Sequence, residues 1–255
     1  MLPGASTEPL GDARPVPELE GQTVVVIGGS AGIGLETARR ARAEGAAVVL
    51  AGRDLERLGR AADEVGAART AAFDAYDFGA LREFFASQPG RIDHVMVTAG
   101  GPSYGPLLKM DAARVRDAVS DHIALALEVA RNAGPRMNPG GALVLMGGTG
   151  GRKISRELGI ASAATAALPA FTATLALELA PVRANLIAAG FVDTPLSASL
   201  LGDDLDARRQ ELRNSLPIGR VVGPADIAAL AVHLMTNTAI TGATYDIDGG
   251  QQFVG

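Results

Sequence analysis

The spacing in this chain that most clearly implies chemistry is Gly28, Gly32 and Gly34 within "GGSAGIG", a G-x-x-x-G-x-G turn that also holds Ser30 and Ile33. Glycines at such positions let the backbone turn tightly and approach a pyrophosphate, whose charge then lies at the N-terminus of the next helix. The run "VVLAGRD" further on carries the second signal. A carboxylate at that strand tip would bond the ribose hydroxyls of NAD, whereas a cation would bond the 2′-phosphate of NADP. Gly52 occupies the acidic position and Arg53 follows it, while Asp54 is placed to cap the helix beginning "LERL". The pattern predicts NADP(H) rather than NAD. There is no cysteine, which removes disulfides and thiolate chemistry, and none of the three histidines has a neighbour at metal-ligand spacing. No metal site is expected.

These residues need elements to hold them. From Gln22 onward, short β-branched runs ("TVVVIGG", "AAVVLAG", "RTAAFDA", "DHVMVTAG", "ALVLMGG", "RANLIAAG", "ATYDIDGG") alternate with helix-like stretches. The clearest of these are "LETARRARAEG", "LERLGRAADEV", "ARVRDAVSDHIALALEVARNA" and "AATAALPAFTATLALELA". Most of the short runs are apolar at every residue, as strands of a parallel sheet covered on both faces should be. The alternation predicts a single α/β domain over 20–255, a doubly wound Rossmann-type parallel sheet with helices on both faces. Ligands of such sheets bind beyond the carboxyl ends of the strands. Residues 1–19, rich in proline, glycine and polar groups, read as a flexible arm.

Composition narrows the partners. The chain has 255 residues, 47% hydrophobic and 20% charged, which is a globular balance. A formal charge of −5 argues against nucleic acid as a partner. No apolar run was expected to approach the ~20 residues that span a bilayer, so no membrane partner is expected. The first residues lack the basic-then-apolar pattern of a signal peptide. The expectation is a cytoplasmic protein acting on a small molecule.

Over nearly all of 20–255 the chain resembles the short-chain dehydrogenase/reductase family. The glycine turn is similar to that family's T-G-x-x-x-G-I-G, with Ile27 at the threonine position. "FDAYD" resembles its acidic motif after the third strand, which implies Asp74 beside adenine. "VTAG" stands where the family has N-N-A-G, which implies Thr98, Ala99 and Gly100 along the adenine-ribose side. "AAGFVDTPL" resembles P-G-x-V-x-T, which implies Gly190, Val192 and Thr194 near the nicotinamide carboxamide. The resemblance implies hydride transfer between nicotinamide and a carbonyl or alcohol. It also implies a tyrosine acid/base, a lysine four residues later, a serine and an asparagine.

Register against that pattern replaces all four of those groups. The serine position falls on Gly148, with Thr149 beside it; the tyrosine falls on Ala161, the lysine on Thr165 and the asparagine on His122. Alanine transfers no proton and threonine carries no charge. The residues left to act are His122, whose ordinary pKa near ~6.5 suits an acid, base or relay, Thr149, and Tyr104 in the loop "GGPSYGP". Arg152, Lys153 and Arg156 flank the cleft entrance, and 196–223 resembles the family's mobile lid. The alanine-rich helix beginning near Ser162 implies a homodimer or homotetramer, with Pro169 a break in its hydrogen bonding. Three functions follow. One is an NADP(H)-dependent oxidoreductase acting on a carbonyl, enone or imine without the usual acid/base pair. The second is a catalytically silent cofactor-binding protein or partner subunit. The third is a non-redox elimination or isomerisation enzyme using His122.

Overall fold

Val24, Val25, Val26 and Ile27 are all buried, and alternate residues enter opposite cores. A run this apolar cannot turn either side to water, so it forms β1 (Thr23–Ile27) in the middle of a sheet. The computed structural model describes residues 18–152, 156 and 158–254. Around β1 stand β2 (Ala47–Gly52), β3 (Arg69–Ala72), β4 (Ile92–Val97), β5 (Met137–Gly148), β6 (Arg183–Ala189) and β7 (Thr244–Ile247). The order is β3-β2-β1-β4-β5-β6-β7 and every pairing is parallel.

Helices α1 (Gly32–Ala43), α2 (Leu55–Val65) and α8 (Pro224–Thr236) pack on one face through Ala38, Leu58 and Ile227. On the other lie α3 (Phe78–Ala86), α4 (Ala112–Ala133) and α5 (Gly159–Glu178), through Phe84, Val129 and Leu168. Each fully buried Leu or Ile contributes about 1.5–3 kcal/mol, which is why the α/β expectation holds. Two further helices, α6 (Pro195–Leu201) and α7 (Leu205–Ser215), lie between β6 and α8.

Four details differ from the sequence reading. Leu19 is fully buried and donates its N–H to Glu44 O at 2.9 Å, so the body of the domain reaches back to 18–19; residues 1–17 of the expected arm lie outside the described ones. Helix α3 was not read from the sequence; Asp77 starts it by accepting the Ala80 N–H. Helix α5 begins at Gly159, so "GIASAATAAL" is its first half, and it runs on through Pro169. The same helix is long and apolar enough to cross a membrane by length and composition, contrary to the expectation that no run approaches that length. Here it packs against α4, β5 and β6, burying Ile160, Ala164, Leu168 and Leu175.

Two buried polar groups brace the amino-terminal ends of the strands. Arg183 donates to Gly140 O, Leu234 O, Met235 O and Ile240 O, a cation satisfied by carbonyls, two of them in the last turn of α8. His94 accepts the Ala142 N–H at Nδ1 (3.2 Å), which leaves its Nε2–H to donate to Gln22 Oε1 at 2.6 Å. Burial holds its pKa down to about 4.

Candidate functional site

The tips of β1 and β4 lie side by side where the sheet reverses its winding, with Thr98 N–H bonded to Ile27 O at 2.8 Å. Gly28 turns there at φ +92°, and a Cβ on it would lie 2.6 Å from Thr98 Oγ1 and 2.8 Å from Ala99 N. A Cβ on Gly34 would lie 2.3 Å from Gly28 O. Both must therefore be glycine for the turn to close on itself. Ala31 precedes α1 without capping it and no acid lies in its first turn, so the positive end of this helix is left to a bound anion. Above it, Thr194 and Pro195 sit 3.5 and 3.8 Å from the point a Gly32 Cβ would occupy, and Leu196 Cδ2 is 4.0 Å from that of Gly101. The start of α6 thus roofs the glycine turn.

Gly28, Ser30, Gly32, Ile33, Gly34, Ala99, Gly100 and Thr194 converge at this one end of the sheet. The Thr194 hydroxyl is engaged in capping α6 with Ser197. Val192, just before it, is buried and paired with Val222. Gly190 is explained by packing, since a Cβ would lie 2.6 Å from both Asp248 Cβ and Gln251 Oε1. Buried Ser30 puts its Oγ 3.2 Å from the place of a Gly52 Cβ, so a carboxylate at the β2 tip would have to displace it. Arg53 follows with its side chain 74% exposed, its ion pair to Asp74 a loose 3.9 Å. Asp74 accepts the Tyr76 N–H, and the Tyr76 hydroxyl comes within 2.7 Å of where a Gly100 Cβ would be. An uncapped helix, a self-closing glycine turn and an available guanidinium at the β2 tip fit a phosphorylated dinucleotide.

At the carboxyl end of β5, Thr165 Cγ2 lies 3.3 Å from where a Gly148 Cβ would be, so these two positions are neighbours. Ala161 lies one helical turn before Thr165, whose hydroxyl donates to Ala161 O at 2.9 Å. Thr149 is buried in a 3-10 turn. Ser162 Oγ, also buried, has no partner. His122 Nδ1 is unpartnered too and borders a cavity of about 20 Å³ shared with Val97, Ala99, Met146 and Leu168. Burial lowers its pKa below 6.5, with Asp121 opposing. Tyr104 is 41% exposed, on the loop whose carbonyl at 104 accepts from Arg114 at 3.5 Å; burial raises its pKa. Arg152 is ion-paired with Asp246 on β7, Arg156 is exposed, and Lys153 lies outside the described residues.

The 196–223 segment is pinned at its base, where Val192 pairs with Val222 and Asp193 N–H bonds Val222 O at 2.9 Å. Arg209 of α7 forks onto both oxygens of Asp193 (2.9 and 2.8 Å) and also reaches Asp206. No local pattern announced this clamp, because it joins a polar helix to a loop residue sixteen positions earlier.

Residues 28–252 match the family model described as enoyl-(acyl carrier protein) reductase. Galactitol 2-dehydrogenase (L-tagatose-forming) of Cereibacter sphaeroides is 31% identical, over 94% of this chain and 98% of that protein. A small-chain dehydrogenase solved in complex with NADPH superposes with a TM-score of 0.78 at 28% identity, covering 91% of this chain and 99% of the other. BdcA in complex with NADPH does so with a TM-score of 0.80 at 26% identity, covering 91% and 95%. With the glycine turn, the seven-stranded order and a match spanning almost the whole fold, the chain belongs to the short-chain dehydrogenase/reductase family of oxidoreductases.

Proposed function

We propose that this chain binds NADP(H) across the glycine turn and the β2 tip, and reduces a small acceptor that needs no proton from the enzyme. When bound, the cofactor supplies a hydride. Ser30, Gly32 and Gly34 with the first turn of α1 hold its pyrophosphate, and Arg53 its 2′-phosphate. Gly28, Asp74, Ala99 and Gly100 border the adenosine half, and Gly190, Val192 and Thr194 the nicotinamide half. The reacting face carries this reading: Gly148, Ala161 and Thr165 offer no ionisable group, and Thr165 turns its hydroxyl back onto its own helix. An iminium carbon accepts an electron pair without a proton, and the enolate formed from an enone takes its proton from water. A simple ketone, whose oxygen must be protonated as the C–H bond forms, is a poor acceptor, because general acid catalysis is worth about 10²–10⁴-fold. His122, half-buried and with its pKa lowered by that burial, serves with Thr149 and Tyr104 to bound and orient the acceptor.

NADPH oxidation followed at 340 nm with iminium, enone and ketone panels tests this. Turnover confined to the first two is expected, and turnover on ketones alone would overturn it. A second reading is a cofactor-binding protein without turnover, favoured by the same absence of a group titrating near neutrality. NADPH binding without oxidation by any class would select it. The exposed Leu177 (81%) and the alanines of α5 support assembly as a homodimer or homotetramer. Light scattering should give a multiple of 26.0 kDa, and a monomer would refute the assembly.

A further inference from the structure

We propose that a notch at the amino-terminal end of the sheet, walled by Arg91 and Arg136, binds the phosphate of a small phosphomonoester. The two arginines immediately precede β4 and β5, so the notch lies at the opposite end of these strands from Ala99 and Gly148, roughly 20 Å away by the rise of β4. It is open to solvent, has a volume of about 270 Å³ and is lined by Gly90, Arg91, Pro135 and Arg136. That is room for a phosphate with a short organic remainder, set against the ~30 Å³ share of one water.

Both guanidiniums are positioned in advance. Arg91 Nε donates to Asn138 Oδ1 at 3.0 Å and one of its terminal nitrogens to Met137 O, while Arg136 reaches Gln88 O. Each arm crosses to the turn that carries the other, so neither needs to be ordered when a ligand arrives. Neither has a carboxylate within ion-pairing distance among the described residues, although Arg39, Arg209 and Arg220 all do. The carboxylate closest in this network, Asp93, is already occupied by Asn138 Nδ2 and the Thr23 N–H, both at 2.7 Å. Several N–H groups remain on each of the two guanidiniums whose residues line the notch, and a planar fork matches the oxygens of a phosphate.

The test follows the arginine Nε–Hε signals of the full chain by ¹H–¹⁵N NMR, with and without excess NADPH. The titrants are glycerol phosphate, inorganic phosphate, and sodium chloride at matched ionic strength. Saturable movement of the Arg91 and Arg136 signals is expected, unaffected by NADPH and tighter for glycerol phosphate than for inorganic phosphate. The double variant Arg91→Lys with Arg136→Lys keeps the charge but loses the forks, and should bind roughly tenfold or more weakly at an unchanged unfolding midpoint. Signals that follow ionic strength alone, or equal affinity in the lysine variant, would overturn the site. Equal affinity for the two phosphates would overturn its assignment to an ester. Should the lysine variant unfold, Arg136→Lys alone decides, by the same loss or retention of affinity.

Discussion

Thr165 is the lysine position of the family pattern, yet its side chain touches the space above Gly148 and spends its hydroxyl on the carbonyl of Ala161. Gly148, Ala161 and Thr165 are therefore neighbours in space, and none of them carries an ionisable group. Ala161→Tyr with Thr165→Lys should raise NADPH-dependent ketone reduction at least tenfold, within the range that general acid catalysis commands. No gain in a steady-state assay would mean the cleft has diverged beyond these two side chains. At the other end, Arg53→Ala should weaken NADPH roughly tenfold or more while leaving NADH unchanged, because only a 2′-phosphate uses the guanidinium; fluorescence titration of both cofactors decides. Gly28, Gly34 and Arg53 were legible in the sequence, since the turn chemistry and strand-tip position are local. The unpartnered Nδ1 of His122 and Oγ of Ser162 were not, because their burial is created by α4 and α5 packing together.

Elements with local end signals could be read closely. Helix α2 occupies the very residues "LERLGRAADEV", as Asp54 caps its start and Gly66, at φ +66°, ends it. The start of α5 was legible to within three residues, Ser162 against Gly159, since successive alanines favour a helix but show no apolar period from which to fix its first turn. Short α3 escaped because its capping Asp77 sits inside a stretch read as a strand end with its acidic motif. The same limit hid the clamp between α7 and the loop after β6. Arg209→Met should free α7 from Asp193, raise KM several-fold with a smaller change in kcat, and speed limited proteolysis within 196–216. Unchanged KM and unchanged cleavage would show that the base of the segment alone fixes its position.

At the scale of the whole molecule, the buried His94 contributes to acid sensitivity. Its folded pKa of about 4 lies below the unfolded value of 6.5, so the unfolded chain binds the extra proton between these limits. Its contribution is complete above pH 6.5 and is lost as pH falls toward 4, amounting to about 2 kcal/mol between pH 7.5 and pH 5. Urea unfolding at the two pH values should show at least that loss, and His94→Gln should remove the His94 share of it, leaving the smaller share of His122, whose pKa burial also lowers; an equal loss in the variant would place the sensitivity elsewhere. The doubly wound parallel sheet followed from the alternation of apolar runs and helices. This deep polar brace did not, because it joins residues 22, 94 and 142 that no local pattern connects. The pinning of Val192 and Asp193 to Val222 has a consequence for how such a protein can change. The excursion begins and ends at one point, and the entropy of closing it grows by only about 0.6 kcal/mol for each doubling in length. The stretch between the Ser197 cap and buried Leu212 can accordingly change in length at little cost to β6 or the glycine turn, provided that the Arg209–Asp193 clamp is kept and Leu212 and Leu216 stay in the core.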